Sequence, residues 1–208
     1  MLNIIATSDL HGARPEIPEC DILIVAGDTT ARDSYDERMR FRDWLYYAPA
    51  KEKVVIAGNH DSMFMYDPRE QVKEAHYLLN SGIDVMGLKV WGSPYTPPFM
   101  SWNFMPEDDE RRDAFMTMPD KFDILVTHGP EYGILDRNTR GEWCGDKVLA
   151  SVLSIKQPKV HIFGHIHEGF GHTKISGKES YNVSYVDQYY QNTNRVVKIL
   201  LDKDGKVV

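Results

Sequence analysis

The chain has 208 residues, 24 of them basic and 31 acidic, for a formal net charge of −7. The length suits one domain with a sizeable core. The acidic balance argues against a broad surface for duplex nucleic acid, and the lack of an apolar run near ~18 residues argues against a membrane-spanning helix.

Leu2 to Thr7 reads as a first buried strand, and Ser8-Asp9-Leu10-His11-Gly12 follows at its end. Alternation along an extended segment puts Asp9 and His11 on one side, a carboxylate and an imidazole already convergent. Asp21 to Ala26 is a second strand that runs into Gly27-Asp28-Thr29, and Tyr35 to Tyr47 suits an amphipathic helix with Phe41 and Trp44 in the core. The apolar run Val54-Val55-Ile56-Ala57 is a third strand, delivering Gly58-Asn59-His60-Asp61. In that turn Asn59 can offer a metal its amide oxygen, His60 can exchange a proton near neutral pH, and Asp61 can hold that imidazole in one tautomer. Taken alone, the tetrapeptide is equally well a polar turn.

Pro68, with Asp67 as its cap, predicts a second helix to about Asn80, stopped by Ser81-Gly82 and carrying a structural His76. Asp84 to Met86 and Leu88 to Gly92 read as a hairpin around Gly87. Ser93 to Pro106 is rich in proline and aromatics, with Trp91 before it and Tyr95, Phe99 and Trp102 within it. It reads either as a pocket wall or as an ordinary packed loop. A polar helix is expected over Glu107 to Met118, a strand over Phe122 to Thr127 ending in His128-Gly129-Pro130, and a helix over Gly145 to Ile155. Pro158 then interrupts, before a strand from Val160 to Phe163 that contains a structural His161 and ends in Gly164-His165-Ile166-His167. Beyond it, short β-like runs alternate with glycine turns, Tyr181 to Ser184 and Arg195 to Leu201 being the clearest. Two cysteines, Cys20 and Cys144, make no disulfide framework, and the N-terminus lacks the regions of a secretory signal, so a reducing, cytoplasmic setting is expected. Asn182-Val183-Ser184 is discounted as a glycosylation acceptor on the same ground.

Five strands thus end in short polar motifs, Asp9/His11, Asp28, Asn59/His60, His128 and His165/His167, which hold five of the eight histidines. Parallel strands would set these ends along one sheet edge, where open α/β proteins build their sites. Imidazoles, carboxylates and an amide without thiolates suit two divalent transition metals rather than a structural zinc. Asp28, alone on its turn, is the candidate to bridge them.

The ordered set D-x-H, G-D, G-N-H-D, T-H-G and G-H-I-H, from Asp9 to His167, resembles the calcineurin-like metallophosphoesterase superfamily. Thr127 to Pro130, Gly133 to Asp136 and Phe163 to Gly169 also resemble the small metallophosphoesterase-domain phosphodiesterases of animal brain and their microbial relatives. The resemblance implies an α/β fold of two mixed β-sheets packed as a sandwich and flanked by helices, in four layers. It implies that Asp9, His11, Asp28 and His167 hold a first metal and Asp28, Asn59, His128 and His165 a second; the mix of imidazole with carboxylate and amide oxygen puts manganese first, with iron, zinc and nickel as alternatives. His60 would be the general acid, oriented by Asp61. Members of the narrower group that lack the last histidine bind nucleotide with little turnover, whereas His167 is present here.

The expected activity is hydrolysis of small nucleotide-type or cyclic nucleotide phosphodiesters by metal-hydroxide attack in line at phosphorus. Asn59, His60, Trp91, Tyr95 and Trp102 are expected to meet the substrate, the aromatics by stacking on a base. The alternatives are a phosphomonoesterase or protein phosphatase, a nuclease, and a nucleotide-binding regulator with vestigial catalysis. Monomer and homodimer both remain open.

Overall fold

The computed structural model describes residues 1–66, 72–202 and 204–208. Two mixed sheets form the centre. The first, of five strands, has the order β11-β1-β2-β3-β4, formed by Val197–Leu201, Leu2–Thr7, Cys20–Ala26, Ala50–Ile56 and His76–Tyr77. The second, of six, has the order β5-β6-β7-β8-β10-β9, formed by Ser81–Val85, Leu88–Ser93, Lys121–Thr127, Gln157–Phe163, Lys178–Asn182 and Gly171–Ile175. In the first sheet β1, β2, β3 and β4 are parallel and β11 is antiparallel. In the second, β6, β7, β8 and β10 are parallel, with an antiparallel strand at each edge.

The strand sequences explain the layering. β1 and β2 carry near-continuous apolar runs, as strands buried on both faces must. Ile4, Ala6, Ile22, Ile24, Val54 and Ile56 point to the second sheet and meet Val90, Ile124, Val126, Val160 and Ile162. The alternate residues Ile5, Leu23, Val25 and Val55 point outward, against Phe41 and Leu45 of α1 (Tyr35–Tyr47). Burying each of those two side chains contributes roughly 1.5–3 kcal/mol. On the far side Trp91 and Leu125 pack under α2 (Asp108–Met116) and α3 (Lys147–Leu153) through Phe115, Val148, Leu149 and Val152. The result is the expected four-layer sandwich.

Local chemistry sets the helix ends. Ser34 and Glu37 close a capping box on α1, and Asp146 caps α3 through the amides of Val148 and Leu149. Arg111 of α2 is buried and bonded to Asp146 at 2.9 Å and Asp108 at 2.7 Å, which fastens the two helices together.

Three expectations need correction. Of the helix expected from Pro68 to Asn80, residues 67–71 lie outside the described residues. Its second half is not helical, because His76 and Tyr77 pair in parallel with Val54 and Val55, and His76 meets Glu52 at 2.9 Å. Ser81 and Gly82, read as its stop, open β5, which turns into β6 through Met86 and Gly87, both at positive φ. Pro158 does not interrupt before β8 but is its second residue, opposite Phe122, near a strand start where proline is tolerated.

Candidate metal centre

The parallel strands bring their polar ends to one edge of the sandwich. Just past β1, the Asp9 amide donates to the Gly27 carbonyl and the His11 amide to the Asp28 carbonyl, both at 3.0 Å. From the second sheet β7 delivers His128, and β8 delivers His165 and His167, with the Gly164 amide on the His128 carbonyl at 2.8 Å. Ser8 joins the sheets here, its amide donating to Val183 and its carbonyl accepting from Tyr185.

This convergence strains the backbone. Asp9, His11, Asp28 and His165 all sit at positive φ, between 42° and 69°, a conformation that costs non-glycine residues roughly 1–3 kcal/mol each. It also leaves no room for two side chains. A Cβ on Gly164 would fall on the Asp9 carboxylate and the Ser8 hydroxyl, and one on Gly58 would fall on the Asp28 carboxylate and the His128 ring.

Among the described residues three groups of ligand-type atoms result: Asp9, His11 and His167; His11, Asp28 and His60; and Asp28, His128 and His165. Within each group these atoms lie within 4.8 Å of one another. Asp28 Oδ2 is 3.6 Å from His11 Nε2 and 3.4 Å from His128 Nε2, so a single oxygen faces both sides of the centre. His167 Nε2 is 3.4 Å from Asp9 Oδ1, and Asn59 Oδ1 is 3.0 Å from His128 Nε2. Backbone carbonyls fix the remote ring nitrogens: Ala26 that of His128 at 3.0 Å, and Asp187 that of His167 at 2.9 Å. Each Nε2 is thereby aimed inward. Both ring nitrogens of His11 are buried without a hydrogen-bond partner among the described residues. A buried imidazole left so is costly, and a cation accepting its lone pair removes the deficit. The donor set therefore fits divalent metal ions.

The electrostatics of the chain's own groups agree. Burial would raise Asp9 and Asp28, but His167 beside the first and His128 beside the second outweigh it and hold both carboxylates well below their usual range. Burial opposes charge on His128 and His167 too, yet Asp28 and Asp9 lift them to about 9. Burial pushes His11 and His165 down to about 4, against the pull of the same carboxylates.

His60 and Asp61 do not interact as expected. The Nδ1 of His60 meets the Ala31 carbonyl at 2.7 Å. The Asp61 carboxylate is buried and taken up elsewhere, accepting from the amides of Thr29, Thr30 and Gly58 and from both threonine hydroxyls, at 2.9 to 3.1 Å. Burial and the nearby Asp28 charge raise Asp61 to about 6. It thus ties the β2 turn to the β3 turn, positioning Asp28 and Asn59 rather than the imidazole.

The expected substrate aromatics separate. Trp102 lies over His60 with centroids 4.3 Å apart and the rings tilted by 31°, on a loop held to the site by Asn103, whose side-chain amide donates to the Asn59 carbonyl. Tyr95 is half-buried and packs on both outer cores. Trp91 is buried against Phe115, 3 % exposed, and cannot meet a ligand, because it faces outward under α2 and α3. Tyr190 and Asp187 are the residues missed: the ring of Tyr190 lies 4.8 Å from that of His11 and 5.5 Å from that of His167. Their only trace in the sequence is a Tyr-Tyr pair in a polar loop after Asp187.

Comparison with known proteins adds to this geometry. The family model described as calcineurin-like phosphoesterase matches residues 2–169. Metallophosphoesterase domain-containing protein 1 of Homo sapiens is 33% identical, over 94% of this chain and 69% of its own length. A UPF0046 protein of Caenorhabditis elegans is 29% identical, over 82% of this chain and 65% of its own. Among solved structures, phosphopantetheinyl hydrolase from Mycobacterium tuberculosis superposes with a TM-score of 0.63 at 18% identity, covering 96% of each chain. That likeness is one of fold.

Proposed function

Because this chain belongs to the calcineurin-like phosphoesterase family, we propose that it hydrolyses small phosphodiesters with two divalent cations held at the strand ends. The observation that carries this reading is Asp28 Oδ2, which lies between His11 and His128 and belongs to two of the three ligand groups. Asp9, His11, Asp28 and His167 would hold one cation, and Asp28, Asn59, His128 and His165 the other. Bound there, the pair supplies Lewis-acid charge to the phosphoryl oxygens and makes a nucleophile of water near neutral pH. Manganese is the first choice, because oxygen donors join the imidazoles; iron, zinc and nickel accept the same set.

The chain's own residues handle the leaving group. With its Nδ1–H on the Ala31 carbonyl, His60 has only Nε2 with which to carry a proton to the departing alkoxide. Trp102 covers the His60 ring and offers a half-exposed face to a planar leaving group. The −7 charge disfavours a long polyanion, which turns the reading toward small nucleotide-type diesters. The test compares kcat/KM, with manganese supplied, for an aryl diester, an aryl monoester, 2′,3′- and 3′,5′-cyclic nucleotides and single-stranded DNA. Small diesters are expected to lead. A monoester preferred about tenfold over every diester, ~1.4 kcal/mol of transition-state binding, would overturn the diester reading, and robust DNA cleavage would favour a nuclease.

A further inference from the structure

A diester differs from a monoester by the organic group that stays on phosphorus, and the structure offers that group a surface. During hydrolysis one bond forms from phosphorus to the water oxygen, and one ester P–O bond breaks. The electron pair leaves with the alkoxide, which is protonated, while the other ester bond is untouched. On the reading above, the departing group lies at His60 and Trp102. In an in-line displacement the retained group projects elsewhere.

We infer that the exposed ring of Tyr190, set against His11 and His167, is the surface on which this retained group packs, and so selects diesters carrying a planar second substituent. Tyr190 is 56 % exposed as a residue, and its ring stands nearly perpendicular to both imidazoles, at 80° and 83°. It borders the Asp9 group of ligands, whereas Trp102 covers His60. Its position is held by a strained turn. Tyr190 has a φ of 60°, and its amide donates to the Asp187 carbonyl. The Asp187 carboxylate accepts from the amides of Tyr189 and Gln191. The same Asp187 carbonyl meets the remote nitrogen of His167, so the aromatic face and the ligand ring are set by one short segment. Strain of this kind persists where the surroundings enforce it, commonly at ligand sites.

The inference rests on the phosphoesterase reading, and the experiment separates the two. 4-Nitrophenyl phosphates share one leaving group while the second position carries nothing, methyl, phenyl or thymidine. They are turned over with manganese by the wild type, Tyr190→Phe, Tyr190→Ala and Tyr190→Asn, the last tolerating the left-handed backbone. In the Ala and Asn variants KM for the phenyl and thymidine diesters is expected to rise about tenfold relative to the monoester and the methyl diester, with kcat moving less and Phe retaining the preference. Trp102→Ala is expected to move the whole series together. A uniform loss across the series in Tyr190→Ala and Tyr190→Asn overturns the inference, as does a loss confined to kcat. If the wild type turns over no member, the phosphoesterase reading fails on its own. Calorimetric binding of the methyl and phenyl esters to the manganese-loaded chain then decides for Tyr190: a phenyl preference lost in Tyr190→Ala supports it, and equal affinities overturn it.

Discussion

Asp61 shows how one buried carboxylate can fasten two turns of a site together. Its five hydrogen bonds join the turn after β2 to the turn after β3. Asp61→Ala leaves the amides of Thr29, Thr30 and Gly58 without their acceptor, at roughly 1–3 kcal/mol for each buried donor. Chemical denaturation is expected to show a loss of several kcal/mol, with metal affinity falling alongside. Unchanged stability with an altered pH profile of kcat would mean that Asp61 acts on His60 instead. His60→Ala is expected to keep its metal and to lose ~10²–10⁴ in kcat for alkyl leaving groups, and less for aryl ones, which need little acid. Equal losses for both, or loss of metal, would remove it from the acid role. Asp61 and His60 were both legible as site residues, because a glycine and an apolar run announce their turn. The partner of His60 was not, because a backbone carbonyl from another turn leaves no mark in the sequence. Nor was Tyr190, which sits in no motif and reaches His11 only through the fold.

Among the elements, the strands that carry ligands were the readable ones, since each is a dense apolar run closed by a polar residue beside glycine. The close approach behind those glycines gives a direct check. Gly164→Ala drives a methyl into the Asp9 carboxylate and Ser8, and overpacking of that kind costs typically ~1–3 kcal/mol. Both thermal stability and metal occupancy are expected to fall. Retention of both would show that this edge relaxes more freely than its contacts suggest. Local signals mislead where strand pairing overrides them. His76 and Tyr77 form a strand because the end of β3 offers them a parallel partner, a contact too distant in sequence to anticipate. Trp91 lies in β6, as expected for Leu88 to Gly92, but strand alternation turns it toward the helices rather than toward the loop that follows.

At the scale of the molecule, the site is a patch of interacting charge inside an acidic chain, where protons would compete with divalent cations. His128 and His167 are lifted to about 9 in the metal-free state. Their contribution to metal-free stability is therefore fully present below their ordinary value near 6.5 and lost as pH rises through about 9. Divalent cations require both imidazoles neutral, so metal affinity is expected to fall as pH falls from 9 toward 6, with about two protons released per chain at neutral pH. Calorimetry in buffers of different ionisation enthalpy reads that release, and an absence of proton release would mean that these two histidines are not ligands. The two-sheet sandwich itself follows from strands apolar on both faces, each needing a layer on either side. On the proposed reading, the shared oxygen of Asp28 is what would make one edge of that sandwich a dinuclear site rather than two separate ones. Metal content after manganese loading and dialysis tests this most directly. The wild-type chain is expected to hold two ions, and Asp28→Ala fewer than two with nearly all diesterase activity gone; Asp28→Ala holding two tightly bound ions would contradict it.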